Sequence, residues 1–271
     1  MGFSPSTLST VVADFSYLAP MAEKPFRLQY EPAPDERVTN AIYESRQMPV
    51  FNVRPIASGL DLDREGFALL HRPSVVRQFT DETLIREAYY EESARIVAEA
   101  TGASRVEVFD HTVRLNADGA SRQPVTRVHN DYTLKSGPQR VRDLMGEEAE
   151  ELLKRRFQIV NVWRPIHGAA IDMPLAVCDA RSVGMEDFVA SDLVYRDRKG
   201  ETYGVRYSPN HQWFYAPEMT EDEVLLLKCY DSAEDGRARF TAHSAFRDPT
   251  APADAKPRES IEIRTLAFFD A

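Results

Sequence analysis

Along the second half of the chain the apolar positions fall in short runs separated by turn residues, a pattern of many strands rather than of long helices. Runs at 106–109, 111–115, 157–163, 175–178, 192–195, 203–207, 212–215, 224–227, 238–241 and 261–269 each predict a strand. Two stretches keep a helical period instead. The first follows Thr80-Asp81, either of which can cap, and carries Leu84, Ile85, Ala88, Tyr89, Ile96 and Val97 to a stop at Gly102. Glu92 interrupts that stripe and is expected at its wetter edge. The second spans 140–156, with Val141, Leu144, Met145, Leu152 and Leu153 as its apolar face. Before residue 60 the strand-like pieces 11–18, 26–30 and 50–53 are broken at Pro32 and Pro34, and 67–70 follows as another. This region reads as an ordered arm over a core. Many short strands with turns between them predict a sandwich or jelly roll. No repeat or linker divides the chain, so one domain over 1–271 is expected: an arm and packing helix over 1–104, and a β core over 105–271.

Composition narrows the choice of ligand. With 43% hydrophobic residues the chain can bury a sizeable core, while a net charge of -10 and a pI near 5.2 argue against nucleic acid or an anionic membrane as partner. A small molecule is the expected partner. Cys178 and Cys229 are too few for a disulfide framework and form no CxxC pair, which fits a reducing, cytoplasmic setting. No apolar run reaches the roughly 18 residues of a membrane span. Met1-Gly2 with Ser6 matches a myristoylation pattern, which Pro5 makes a poor substrate. The sequence is silent on oligomeric state.

The chemistry centres on Arg127-Val128-His129-Asn130-Asp131. Side chains two apart on a strand share a face, so His129 and Asp131 can reach one metal ion. One more histidine completes a 2-His-1-carboxylate face, which leaves coordination positions open for a co-substrate and O₂. Of the six histidines, His243 is the preferred third ligand, because Arg258-Glu259-Ser260 follows it at the start of the last strand. An acidic co-substrate held by iron at one end needs a cation at the other, and the planar fork of arginine binds a carboxylate bidentately. Ser260 adds a hydroxyl donor on the same face. His211 is the competing third ligand, with a place at the pocket rim as its other reading.

The set His129, Asp131, His243, Arg258 and Ser260 resembles that of the Fe(II)/2-oxoglutarate-dependent dioxygenases. More narrowly, residues 161–165, 174–179, 213–219 and 237–243 resemble the gibberellin desaturase and cephamycin hydroxylase-like family of secondary metabolism. The resemblance covers roughly 105–269. It implies a mainly β fold, a double-stranded β-helix (jelly roll) core with flanking α-helices. It also implies Fe(II) and 2-oxoglutarate as cofactors, and hydroxylation, desaturation or oxidative ring closure of a small metabolite with O₂. No catalytic residue beyond the metal ligands is expected.

Substrate-binding candidates are Arg164, which either points into the barrel toward a carboxylate or forms a surface salt bridge, His211 at the pocket rim, and Trp213 and Tyr215, which either line the pocket or pack in the core. Lys228 is an alternative carboxylate anchor unless Asp231 pairs with it. His111 and His167 are expected to pack or face solvent. Two other classes remain open on the residues alone: a jelly roll that only binds a small molecule, and a zinc hydrolase using the same ligands.

Overall fold

The computed structural model describes residues 7–120 and 122–270; the Met1-Gly2-Ser6 pattern lies outside them. The strands are β1 (Thr10–Leu18), β2 (Phe26–Leu28), β3 (Tyr43–Asn52), β4 (Phe67–His71), β5 (Arg105–Leu115), β6 (His129–Asn130), β7 (Phe157–Ile166), β8 (Leu175–Cys178), β9 (Phe188–Val194), β10 (Lys199–Val205), β11 (Trp213–Tyr215), β12 (Glu223–Asp231), β13 (His243–Ala245) and β14 (Glu259–Phe268). They form a five-stranded sheet, β4-β12-β7-β14-β5, and a nine-stranded sheet, β1-β3-β11-β8-β13-β6-β10-β9-β2.

Three apolar clusters follow from strand alternation. Inward residues of the two sheets, among them Trp163, Val177, Tyr203, Leu225 and Leu227, meet in the inter-sheet core. The opposite face of the small sheet, with Val160, Val162, Ile261 and Ile263, is covered by the helix. A third cluster gathers Phe15 and Tyr17 of β1 with Val50, Val128, Cys178, Trp213 and Phe246. It exists because β1 returns to the β6 segment: Ser16 bridges Arg127 in parallel, and Val128 N–H donates to the Ser16 carbonyl at 2.9 Å. The end of the large sheet thus rolls around a core of its own. β1, β3 and β4 are hydrogen-bonded members of the sheets and not an arm laid over them, because an unpaired strand would leave its backbone groups unsatisfied.

The first helix is α1 (Glu82–Leu84), a π-helical turn over Ile85–Tyr89 and α2 (Tyr90–Thr101). The Asp81 carboxylate accepts from Thr83 N–H at 3.0 Å and Leu84 N–H at 3.2 Å, and Gly102 ends the helix at φ 72°. Glu92 is buried, against the expectation of a wet edge. Its carboxylate accepts from Ser74 Oγ at 2.9 Å and pairs with Arg164 at 3.2 Å. The second helical stretch breaks at Gly146 (φ 55°) into α3 (Ser136–Met145) and α4 (Ala149–Leu152). Residues 238–241, expected as a strand, are irregular, and the strand begins at His243. None of the described helices is long and apolar enough to cross a membrane.

Candidate metal and co-substrate site

β6 and β13 lie side by side in the large sheet, and His129 and His243 are direct register partners. Their rings stand 4.3 Å apart, and Asp131, just past β6, places Oδ1 3.5 Å from His129 Nε2 and 3.9 Å from His243 Nε2. All three ligand atoms lie within 4.8 Å of one another. The tautomers follow from the second nitrogens. His129 Nδ1 donates to the Arg127 carbonyl at 2.8 Å and His243 Nδ1 to the Thr241 carbonyl at 2.9 Å, each to the backbone two residues back. Both Nε2 lone pairs therefore face the centre, as metal ligation requires.

Asp131 is oriented from the facing sheet. Its Oδ2 accepts from Asn161 Nδ2 of β7 at 2.8 Å and lies 3.5 Å from Arg264 Nε of β14, leaving Oδ1 to the centre. Burial alone would favour the neutral acid, but hydrogen bonding to His129 when that ring is protonated, together with the Arg264 charge, holds the carboxyl well below the usual range. For His243, burial and the neighbouring His129 ring push the imidazole pKa down and keep it neutral.

Arg258 is buried in the same cleft, which has about 330 Å³ of empty space including its solvent-open mouth. Besides the three ligand residues, Arg114, Trp163, Leu175 and Glu262 are among its walls. The Arg258 guanidinium stands 5.4 Å over the Trp163 ring and donates from Nη1 to the Met173 carbonyl at 2.6 Å. It has no ion pair among the described residues. Burial and the charge of Arg114 pull its pKa down to about 9. Arg258 Nε and Ser260 Oγ are both buried without a hydrogen-bond partner. A buried cation and hydroxyl left open in this way fit an incoming carboxylate.

The other candidates lie elsewhere. Arg164 sits on the opposite face of β7, fully buried: Nε donates to Tyr89 Oη at 2.9 Å and Nη2 to the Arg72 carbonyl at 2.7 Å. The expectation that it points into the barrel fails by strand parity, since Asn161 and Trp163 hold the inward positions and Arg164 the outward one. Trp213 and Tyr215 belong to the third cluster, and between them Phe214 faces the inter-sheet core. His211 is buried beside them, 3.1 Å from Tyr17 Oη and 3.1 Å from the Asp187 carboxylate. Trp213 Nε1 donates to the same Tyr17 oxygen at 2.7 Å. None of the three lines the cleft, and the ligand atoms gathered around Asp131 come from His129 and His243. Lys228 pairs with Asp231 at 2.8 Å and with Asp63. His111 meets Tyr90 and His167 meets Glu259, both outside the site. Sequence reasoning missed Asn161, Arg264, Arg114 and Glu262, although the alternation 258, 260, 262, 264 along one strand face was available to it.

Two histidines and a carboxylate inside a jelly roll, faced by an unpaired buried arginine, define a non-haem iron oxygenase that uses an acidic co-substrate. The comparisons agree. The family described as Oxidoreductase/YMDC permease-like domain matches residues 15–268. Hydroxylase/desaturase efuI of Hormonema carpetanum is 37% identical over 259 residues, 86% of each chain. The Fe(II)/2-oxoglutarate-dependent dioxygenase nvfI of Aspergillus novofumigatus is 32% identical over 246 residues, 88% of each. The solved structure of the iron and alpha-ketoglutarate-dependent endoperoxidase NvfI superposes with a TM-score of 0.88 at 29% identity, covering 97% of this chain and 99% of that one. The chain belongs to the Fe(II)/2-oxoglutarate-dependent hydroxylase/desaturase family of secondary metabolism. It is a dioxygenase acting with O₂ on a small molecule.

Proposed function

We propose that His129 Nε2, Asp131 Oδ1 and His243 Nε2 hold the Fe(II), and that Arg258 with Ser260 receives the distal carboxylate of 2-oxoglutarate. The observation that carries this reading is the pair of buried open donors, Arg258 Nε and Ser260 Oγ, across from three convergent ligand atoms. A zinc hydrolase leaves that pair without a task, and a barrel that only binds has no need of the three convergent ligands. Bound there, Fe(II) would supply, with O₂ as oxidant, oxidative decarboxylation of 2-oxoglutarate to succinate and CO₂ coupled to removal of hydrogen from the substrate. The residues do the rest by position: Asn161 and Arg264 fix the Asp131 carboxylate, the Arg127 and Thr241 carbonyls fix the rings, and Leu175 and Trp163 narrow the cleft. Hydroxylation, desaturation and ring closure then differ by where the substrate carbon is held.

Anaerobic addition of Fe(II) and 2-oxoglutarate is expected to give the weak visible band of the chelate. Arg258→Gln should raise the 2-oxoglutarate concentration needed for it by at least tenfold, and His243→Ala should abolish it while His211→Ala keeps it. A full band in His243→Ala would sink the ligand assignment. We also read the whole of 1–271 as one oxygenase unit, with 1–104 supplying edge strands and the packing helix and 105–271 the jelly-roll core. A cytoplasmic location is supported by Cys178 and Cys229, both free and buried.

A further inference from the structure

In an acidic chain, two arginines that form no ion pair among the described residues, Arg114 and Arg258, line one cleft. Arg114 of β5 lines the cleft with the ligand residues and is the cross-strand partner of Ser260. Arg127 stands two residues before His129, on the same side of that segment. Neither Arg114, Arg127 nor Arg258 forms an ion pair among the described residues. Arg114 donates from Nη1 to the Gln123 carbonyl at 3.0 Å, and the Arg127 guanidinium lies 5.9 Å over the Tyr43 ring. The nearby acids are committed elsewhere. Glu262 is held by Arg264. Asp172 accepts from the Arg258 backbone N–H at 2.9 Å through Oδ1 and from Asn116 through Oδ2. Burial disfavours the charged form of Arg114 more than the nearby Glu262 and Asp131 carboxylates favour it, and an anion bound beside it would offset that burial.

The proposed function accounts for one of these cations. 2-Oxoglutarate has two carboxylates, of which one goes to the metal and one to Arg258. Arg114 remains. We propose that Arg114, with Arg127 behind it, receives an anionic group of the organic substrate, so that the substrate is a small carboxylic acid held by its carboxylate at the mouth of the cleft. This inference rests on the oxygenase reading. It assigns to Arg114 the substrate carboxylate that Arg164, on the far face of β7, does not meet.

The test uses the full chain loaded anaerobically with Fe(II) and 2-oxoglutarate, and a panel of polyketide, terpenoid and aromatic carboxylic acids, each beside its methyl ester. At least one acid is expected to perturb the visible band of the chelate and, under air, to stimulate succinate release. Its ester should be at least tenfold weaker in both. Arg114→Gln should erase the preference for acid over ester while leaving the 2-oxoglutarate affinity within about twofold, and Arg114→Lys should keep part of the preference, since it keeps a point charge. Esters equal to or better than acids across the panel overturn the proposal, as does an acid preference surviving in Arg114→Gln. A loss of 2-oxoglutarate affinity in Arg114→Gln as large as in Arg258→Gln also overturns it, because the residue would then serve the co-substrate. A wild-type chain that forms no chelate band removes the oxygenase reading and this inference together, whereas an intact band without acid preference removes only this one.

Discussion

At the scale of single residues, the convergence of His129, Asp131 and His243 was legible and the residues that support them were not. His129 and Asp131 stand two apart in sequence, and the arginine after His243 singled that histidine out. Asn161 and Arg264 act on Asp131 from two other strands, and nothing near residue 131 announces them. Residues of this kind typically change metal affinity about 10–100-fold when removed. Asn161→Leu is therefore expected to weaken Fe(II) binding by that range while leaving the fold intact, as read by anaerobic iron titration beside circular dichroism. Unchanged iron affinity would mean that Arg264 alone orients the carboxylate. Of the two readings open for the aromatic candidates, core packing is the one found, for a reason of parity. Trp213 and Tyr215 are two apart and share the outer face of β11, so the inward position falls to Phe214, which composition alone does not distinguish.

At the scale of elements, Arg164 shows what its strand requires. β7 is buried on both faces, and its outward side meets α2. There Arg164 joins the strand to the helix through Tyr89 and Glu92 and to the Arg72 carbonyl. Removing one member of a buried pair costs about 3–5 kcal/mol, because the other charge is left without a counter-ion. Arg164→Met should lower the stability to denaturant by that amount, with turnover per folded molecule unchanged, and adding Glu92→Gln should recover part of the loss. Turnover falling with stability unchanged would return Arg164 to the substrate. A second device holds the far end of the small sheet, where Lys228 and Arg156 clasp Asp231 and, with Arg237, Asp63. Burial would raise the pKa of both acids, yet these cations hold them below the usual carboxylate value. A carboxylate depressed in this way stabilises the fold fully above its unfolded pKa of about 4, and that share is lost as pH falls through the lower folded value. Asp231→Asn should therefore melt below wild type at pH 7, with the gap closing below about pH 4.

At the scale of the whole molecule, the sequence reading reached the jelly roll and the family, but not the way the N-terminal strands complete both sheets. Their pairing partners lie far along the chain, as Phe67 of β4 against Leu227 of β12 shows, and periodicity carries no information about such distant registers. Whole-molecule stability should respond to the site. Fe(II) with 2-oxoglutarate at about 100-fold excess over their dissociation constant adds roughly 2.7 kcal/mol to the folded state. The anaerobic melting temperature is expected to rise by several degrees and to return to its apo value with a chelator.

The same site bears on how the chain finds its register. β6 has 2 residues and β13 has 3, and the single ladder pair between them is His129 with His243. So short a ladder has little of its own to resist a one-residue slip, and a slip would turn His243 to the other face of the sheet. Only the in-register chain offers three convergent side chains, so on the proposed ligand assignment Fe(II) would bind that arrangement alone and shift the population toward it. Metal loading would thus double as a check on strand alignment at the middle of the large sheet. Amide exchange over residues 128–131 and 242–245 should be faster in the apo chain than in the iron-loaded one, more so than anywhere along β7 or β14.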